Sequence, residues 1–146
     1  MIRKSIKFKD YNDVEREKDY WFDLNETDLI ELQIETVGGL HEKIDRVMKM
    51  NDQREIYNLF KTIIRKSYGE KSDDGIHFDK SEAAWERFIT SPAYNALMLE
   101  FMDDPQKVVE FMEGLMPKMT EEQAKTYNEQ KKELIDKYTG GNNVQH

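Results

Sequence analysis

Near residue 25 the apolar residues of this chain change their period from two to about 3.6. Before that point Ile6 and Phe8 alternate with Lys7 and Lys9, and Tyr20, Phe22 and Leu24 alternate with Trp21 and Asp23. Alternation of this kind puts every second side chain on one face of a strand. Asn12-Asp13 lies between the two runs and is a turn signal, so the first segment reads as a β-hairpin. A three-residue loop, Asn12 to Val14, pairs Asp10 with Arg16, Lys9 with Glu17 and Lys7 with Asp19, and sets Ile6 opposite Tyr20. A two-residue loop would set Lys9 against Arg16 and Lys7 against Lys18, and like charges directly opposite destabilise a strand pair. The longer loop is therefore expected. A lone hairpin is marginal in water, so this one must pack on helices or pair with another strand.

From residue 26 onward the spacing is helical. Asn25 or Thr27 can cap a helix with Leu29, Ile30, Ile34 and Val37, ended by Gly38-Gly39. Leu40, Ile44, Val47 and Met48 form a second stripe. Asp52 and Glu55 have capping-box spacing ahead of Ile56, Phe60, Ile63 and Ile64, and Tyr68-Gly69 closes that helix. Residues 69–80 read as a loop or tight hairpin with Asp74-Gly75 as its turn. Three short helices follow, opened by Ser81, by Ser91 with Pro92, and by Asp104 with Pro105. Their inner faces carry Trp85 and Phe88, then Tyr94, Leu97, Met98 and Phe101, then Val108, Val109, Met112, Leu115 and Met116. Thr120 and Gln123 start a last helix to about Tyr138, sparse in apolar residues, before the flexible Gly140-Gly141-Asn142-Asn143. The expected fold is mainly α within an α+β class: an N-terminal β-hairpin, a compact bundle of about five short helices, and a C-terminal helical extension.

A length of 146 residues suits a single core without disulfides or metal, and with no cysteine, disulfides and thiolate chemistry are excluded. No apolar run spans a bilayer, and basic Met1-Ile2-Arg3-Lys4-Ser5 is not followed by a secretory h-region. The net charge of -8 makes nucleic acid a poor partner. Residues 68–116 hold 4 basic and 11 acidic side chains, while the flanking segments are nearly balanced. That excess is either a solvated face or a surface that steers a basic partner.

The residues offer no catalytic constellation. His41, His77 and His146 lie far apart without ligand spacing. Placing Gly75 at the sixth position of a calcium loop puts Ser81 at the twelfth, where a bidentate Glu is required; Glu82 misses by one. Phosphate-cradling glycine motifs are absent. No catalytic, cofactor or metal residue is therefore assigned, and the chain reads as a protein-binding module. Met48, Met98, Met112 and Met116 fit core packing better than an adaptable binding surface.

One stretch carries a resemblance. Residues 65–81, Arg65-Lys66-Ser67-Tyr68-Gly69 through Phe78-Asp79-Lys80-Ser81, contain a Tyr-Gly, then Ser72-x-Asp74-Gly75, then Phe78-x-Lys80-Ser81. Phe88, Ser91-Pro92-Ala93-Tyr94, Leu97, Phe111, Gly114 and Pro117 follow in order, and Asp10-Tyr11-Asn12, Val14-Glu15-Arg16 and Phe22-Asp23-Leu24 precede. This order resembles the tail assembly chaperones of siphophages and prophages of Gram-positive bacteria, over residues 6–117. The resemblance implies a domain over 1–117, with 118–146 as a charged helix and tail outside the pattern. It implies a protein that binds the phage tape measure protein and keeps it soluble in the host cytoplasm while the tail tube polymerises. It further implies a homo-oligomer that meets the tail tube protein and is absent from the mature virion. No membrane or nucleic-acid partner is expected. A minor structural component of a tail or head is the alternative. The candidate partner contacts are Tyr68, Asp74, Phe78 and Tyr94; against this, Gly69 and Gly75 can serve turns, and Phe78 and Tyr94 can belong to the core.

Overall fold

A computed structural model of the chain describes residues 1–36 and 38–115, together with Glu129 and Lys132. Val37, Met116, the expected helix from Thr120 to Tyr138, the glycine-rich end and the division after residue 117 lie outside the described residues. The described residues divide into two compact units, one of residues 1–23 with 53–115 and the other within residues 24–52.

In the first unit the alternating runs form strands β1 (Ile2–Lys9) and β2 (Glu15–Phe22), paired antiparallel. The register differs from the expected one by two residues. Lys9 faces Glu15, Lys7 faces Glu17, Ser5 faces Asp19 and Ile6 faces Lys18. Both registers oppose unlike charges and keep each side chain on its face, so charge alone does not choose between them. The turn does. The Asp10 carboxylate accepts the amide N–H of Asn12 (2.8 Å) and of Val14 (3.0 Å), and the Asp10 N–H donates to the Val14 carbonyl at 2.9 Å. Asp13 takes the left-handed conformation, φ 60°. Asp10 thus closes the loop from inside it, and still holds Arg16 at 2.6 Å through its other oxygen. The Arg16 hydrogen bond, then that from Val14, lowers the Asp10 pKa.

β2 also pairs with β3 (Tyr68–Lys71), and β3 with β4 (Phe78–Asp79), giving the sheet order β1-β2-β3-β4. Tyr68-Gly69 therefore starts a strand where a helix end alone was expected, and of the two readings of residues 69–80 the tight hairpin is the one observed. Four helices of this unit follow the expected stripes: α3 (Gln53–Ser67), α4 (Glu82–Ile89), α5 (Pro92–Asp103) and α6 (Pro105–Leu115). Ser81 caps α4 through the Ala84 N–H. Ser91 stands at the N-cap of α5 without capping it; its hydroxyl donates to the Phe88 carbonyl instead. Asp104 accepts the Gln106 N–H at the start of α6. Ile6, Phe22, Phe60, Ile64, Tyr68, Phe88, Leu97, Phe101, Phe111 and Leu115 are buried in its core.

In the second unit α1 (Glu26–Glu35) is capped by Asn25, reciprocally with Asp28, so Asn25 and not Thr27 is the cap. Its buried residues are Leu29, Leu32 and Gln33, while the expected Ile30 and Ile34 are half-buried. The Gln33 amide oxygen accepts the Leu40 N–H at 2.8 Å, satisfying the first amide of α2 (Leu40–Met50). The six helices and four strands among the described residues make the protein α+β, with a larger sheet than a hairpin alone.

Candidate functional site

The motif-bearing segment, residues 65–81, runs from the end of α3 through the β3–β4 hairpin to the cap of α4. Each of its marked residues has a structural task. Tyr68, 5% exposed, stacks face to face on Phe88 with centroids 4.3 Å apart and planes 10° apart. Gly69 lies in the strand and serves no turn: a Cβ there would fall 2.5–2.7 Å from the Phe78 ring, which crosses over it. Ser72 donates its hydroxyl to the Asp74 carboxylate at 2.6 Å and accepts the His77 N–H at 3.0 Å. The same Asp74 oxygen accepts the Ile76 N–H, and Gly75 follows with φ 76°, the left-handed region that glycine enters without strain. Hydrogen bonds from Ser72, then Ile76, hold the Asp74 pKa below the usual carboxylate value.

Lys80 joins three elements. Its ammonium donates to the carbonyls of Asp23 (2.7 Å), after β2, and Lys66 (3.1 Å), in α3, and stands 5.7 Å from the Phe78 ring centroid. Asp79 accepts the Ser81 N–H, and the Ser81 hydrogen bonds lower its pKa. With Asp10, Asp74 and Asp79 all lowered, these carboxylates contribute stability above the unfolded-state pKa near 4 that is lost as pH falls through their folded-state values. Replacing Lys80 by methionine keeps the stem and removes the donors. It is expected to cost about 1–2 kcal/mol, read as a lower denaturant midpoint, whereas Lys80→Arg retains part of that stability.

The four expected contact residues divide in two. Tyr94, 9% exposed, packs edge-on against Trp85 and Phe88, and its hydroxyl lies 3.3 Å from that of Tyr57. Tyr68 and Tyr94 are therefore core aromatics, joined through Phe88. Phe78 is half-buried over Gly69, on the face of the sheet that also carries Trp21, and Asp74 is exposed at the hairpin tip. Beside Asp74, sequence reasoning passed over Ile76, which is 74% exposed. An apolar residue next to an Asp-Gly turn is the signal that pointed to it. Leu99 on α5 is 62% exposed, and the helical carboxylates Glu86, Asp103, Glu110 and Glu113 are exposed with no ion pair among the described residues. His77 is exposed, and among the described residues no group of His, Asp and Glu is arranged to hold a metal. Nor is any helix there long and apolar enough to cross a membrane.

Among the described residues, exposed helical carboxylates and the isolated apolar side chains Ile76 and Leu99 are open to contact with another protein. No curated protein and no solved structure matches the chain. A family model described as phage tail assembly chaperone matches residues 1–145, extending past Pro117 and taking in the C-terminal segment that the motif order had left out. With nearly the whole chain matched, and each marked residue of segment 65–81 placed in the fold, the protein belongs to the phage tail assembly chaperone family.

Proposed function

We propose that the protein binds the phage tape measure protein and keeps it soluble in the host cytoplasm while the tail tube polymerises. Membership of the chaperone family across residues 1–145 is the observation that carries this reading. The surface supports it. A tape measure protein is a long helical client with apolar stripes that aggregate if left bare. Exposed Leu99 and Ile76, set among carboxylates, give such a client small apolar contacts on a well-solvated body. Contacts of that size release easily, which suits a chaperone that the growing tube must displace. Of the four residues expected from sequence, Asp74 and Phe78 stand at the surface and are the ones assigned to the client. The protein acts as a homo-oligomer, meets the tail tube protein only during hand-over, leaves before the virion is complete and catalyses nothing.

Co-expression tests the reading. The tape measure protein alone is expected in the insoluble fraction. With the chaperone most of it moves to the soluble fraction and co-elutes in size exclusion with light scattering. A tape measure protein that stays insoluble would sink the proposal. Mass spectrometry of purified virions should lack the chaperone; its presence in stoichiometric amount would favour a structural tail component.

A further inference from the structure

Among the described residues the outer edge of β1 carries no partner strand: Ile2–Lys9 pairs only with β2. The hydrogen-bond phase shows which backbone groups face outward. The Asp10 N–H donates to Val14, so Asp10–Val14 is a bonded pair, and bonded pairs recur at every second residue. Phe8, Ile6, Lys4 and Ile2 therefore bond to β2. The Asp23 N–H donates to Ser67, toward β3, which fixes the same phase on the far side of β2. The N–H and C=O groups of Arg3, Ser5, Lys7 and Lys9 consequently point to the outer edge.

The same four residues project from the outer face of the sheet, and all are exposed. Arg3, Lys7 and Lys9 form no ion pair among the described residues, although Glu17 and Glu15 face Lys7 and Lys9. β1 holds four cations, Arg3, Lys4, Lys7 and Lys9, and no carboxylate, in a chain of net charge -8. Lys4 is on the inner face and is spent on Glu100 of α5 at 3.2 Å.

A second copy of β1 fits this edge poorly. Antiparallel pairing of two β1 strands about Ser5 sets Arg3 against Lys7. Pairing about Ile6 sets Arg3 against Lys9, and pairing about Lys7 sets two Lys7 side by side. Each register opposes cations and is destabilised, which is how charged edges resist their own kind. An extended strand with carboxylates at alternate positions meets the opposite situation. Its main chain completes the ladder while its acids fall beside Arg3, Lys7 and Lys9, as Glu17 and Glu15 of β2 do beside Lys7 and Lys9 on the other side. We propose that the outer edge of β1 is a docking strand for an extended, acidic segment of a partner protein. The docking edge is on β1, at the opposite side of the β1-β2-β3-β4 sheet from Phe78 of β4, and its test does not depend on the tape measure reading.

Titration of the full-length, isotope-labelled protein with two blocked peptides of about eight residues, one alternating Thr and Glu and the other Thr and Lys, tests the proposal. The Thr-Glu peptide is expected to shift the amide signals of Arg3, Ser5, Lys7 and Lys9 and to slow their hydrogen exchange. It should bind at least about fivefold more tightly than the Thr-Lys peptide, and weaken about tenfold between about 0.05 M and about 0.5 M salt. The Lys7→Gln/Lys9→Gln variant should lose that preference while keeping the rest of its spectrum. Equal binding of both peptides, shifts confined to other elements, or β1 shifts that follow protein concentration without peptide would each overturn it.

Discussion

Replacing Phe88 by alanine is expected to remove about 3–5 kcal/mol of folding stability. Phe88 is 1% exposed and sits where three elements meet. From α4 it stacks on Tyr68 of β3, and it packs at 5.2 Å and 6.0 Å on Tyr20 and Phe22 of β2 and at 5.7 Å on Tyr94 of α5. Truncation deletes the ring and leaves a cavity walled by rings of β2, β3, α4 and α5, which close poorly around it. Each lost aromatic pair adds about 0.5–1.5 kcal/mol beyond the buried area. Since a domain of this size is stable by only about 5–15 kcal/mol, the variant should unfold at low denaturant and aggregate on warming. Leu99→Ala is the control, because Leu99 is 62% exposed and should change stability by no more than about 0.5 kcal/mol. A loss at Phe88 below about 1 kcal/mol would show that the ring cluster is not the centre of the core.

The same cluster explains which parts of the molecule were legible in the sequence. The helices were, because Ser81, Pro92, Pro105 and Asn25 mark starts through local chemistry: a hydroxyl or amide oxygen for an orphan N–H, or a ring that fixes φ. The hairpin was legible as alternation, but its register was not. Cross-strand charge is satisfied equally by two registers, and the choice fell to Asp10, whose carboxylate bonds the turn from within. β3 was hidden for a different reason. Tyr68-Gly69-Glu70-Lys71 has no alternation of its own, and its strand character comes from the neighbours on both sides. The segment that carries the family resemblance was recognisable without being interpretable. Tyr68, Gly69, Ser72, Gly75, Lys80 and Ser81 suit a binding loop as well as a hairpin fastened to α3 and α4. Only burial and distances decide for the hairpin. The motif that carries the resemblance is thus largely a folding device, while the exposed apolar residues Ile76 and Leu99 lie at less marked positions.

Two tyrosines in this core make the protein sensitive to alkali. Burial raises the pKa of the Tyr68 phenol, and burial followed by the Tyr57 hydrogen bond raises that of Tyr94. In the unfolded chain both ionise near pH 10. Above that pH the unfolded state has released protons that the folded state still holds. Stability is therefore complete below the unfolded value and falls as pH rises toward the folded ones. Each retained proton contributes a slope of about 1.4 kcal/mol per pH unit, and two give about 2.7 kcal/mol per pH unit. Tyr20, also raised by burial, adds to this where its shift applies. Unfolding is expected between about pH 10 and about pH 12, with phenolate absorbance and loss of helix appearing together. Tyr68→Phe tests the assignment, since it keeps the ring that stacks on Phe88 and removes only the ionisable hydroxyl. Its stability above pH 10 should fall less steeply by about 1.4 kcal/mol per pH unit. If the two pH profiles were parallel, the Tyr68 phenol would be titrating in the folded protein and the ring would be open to water.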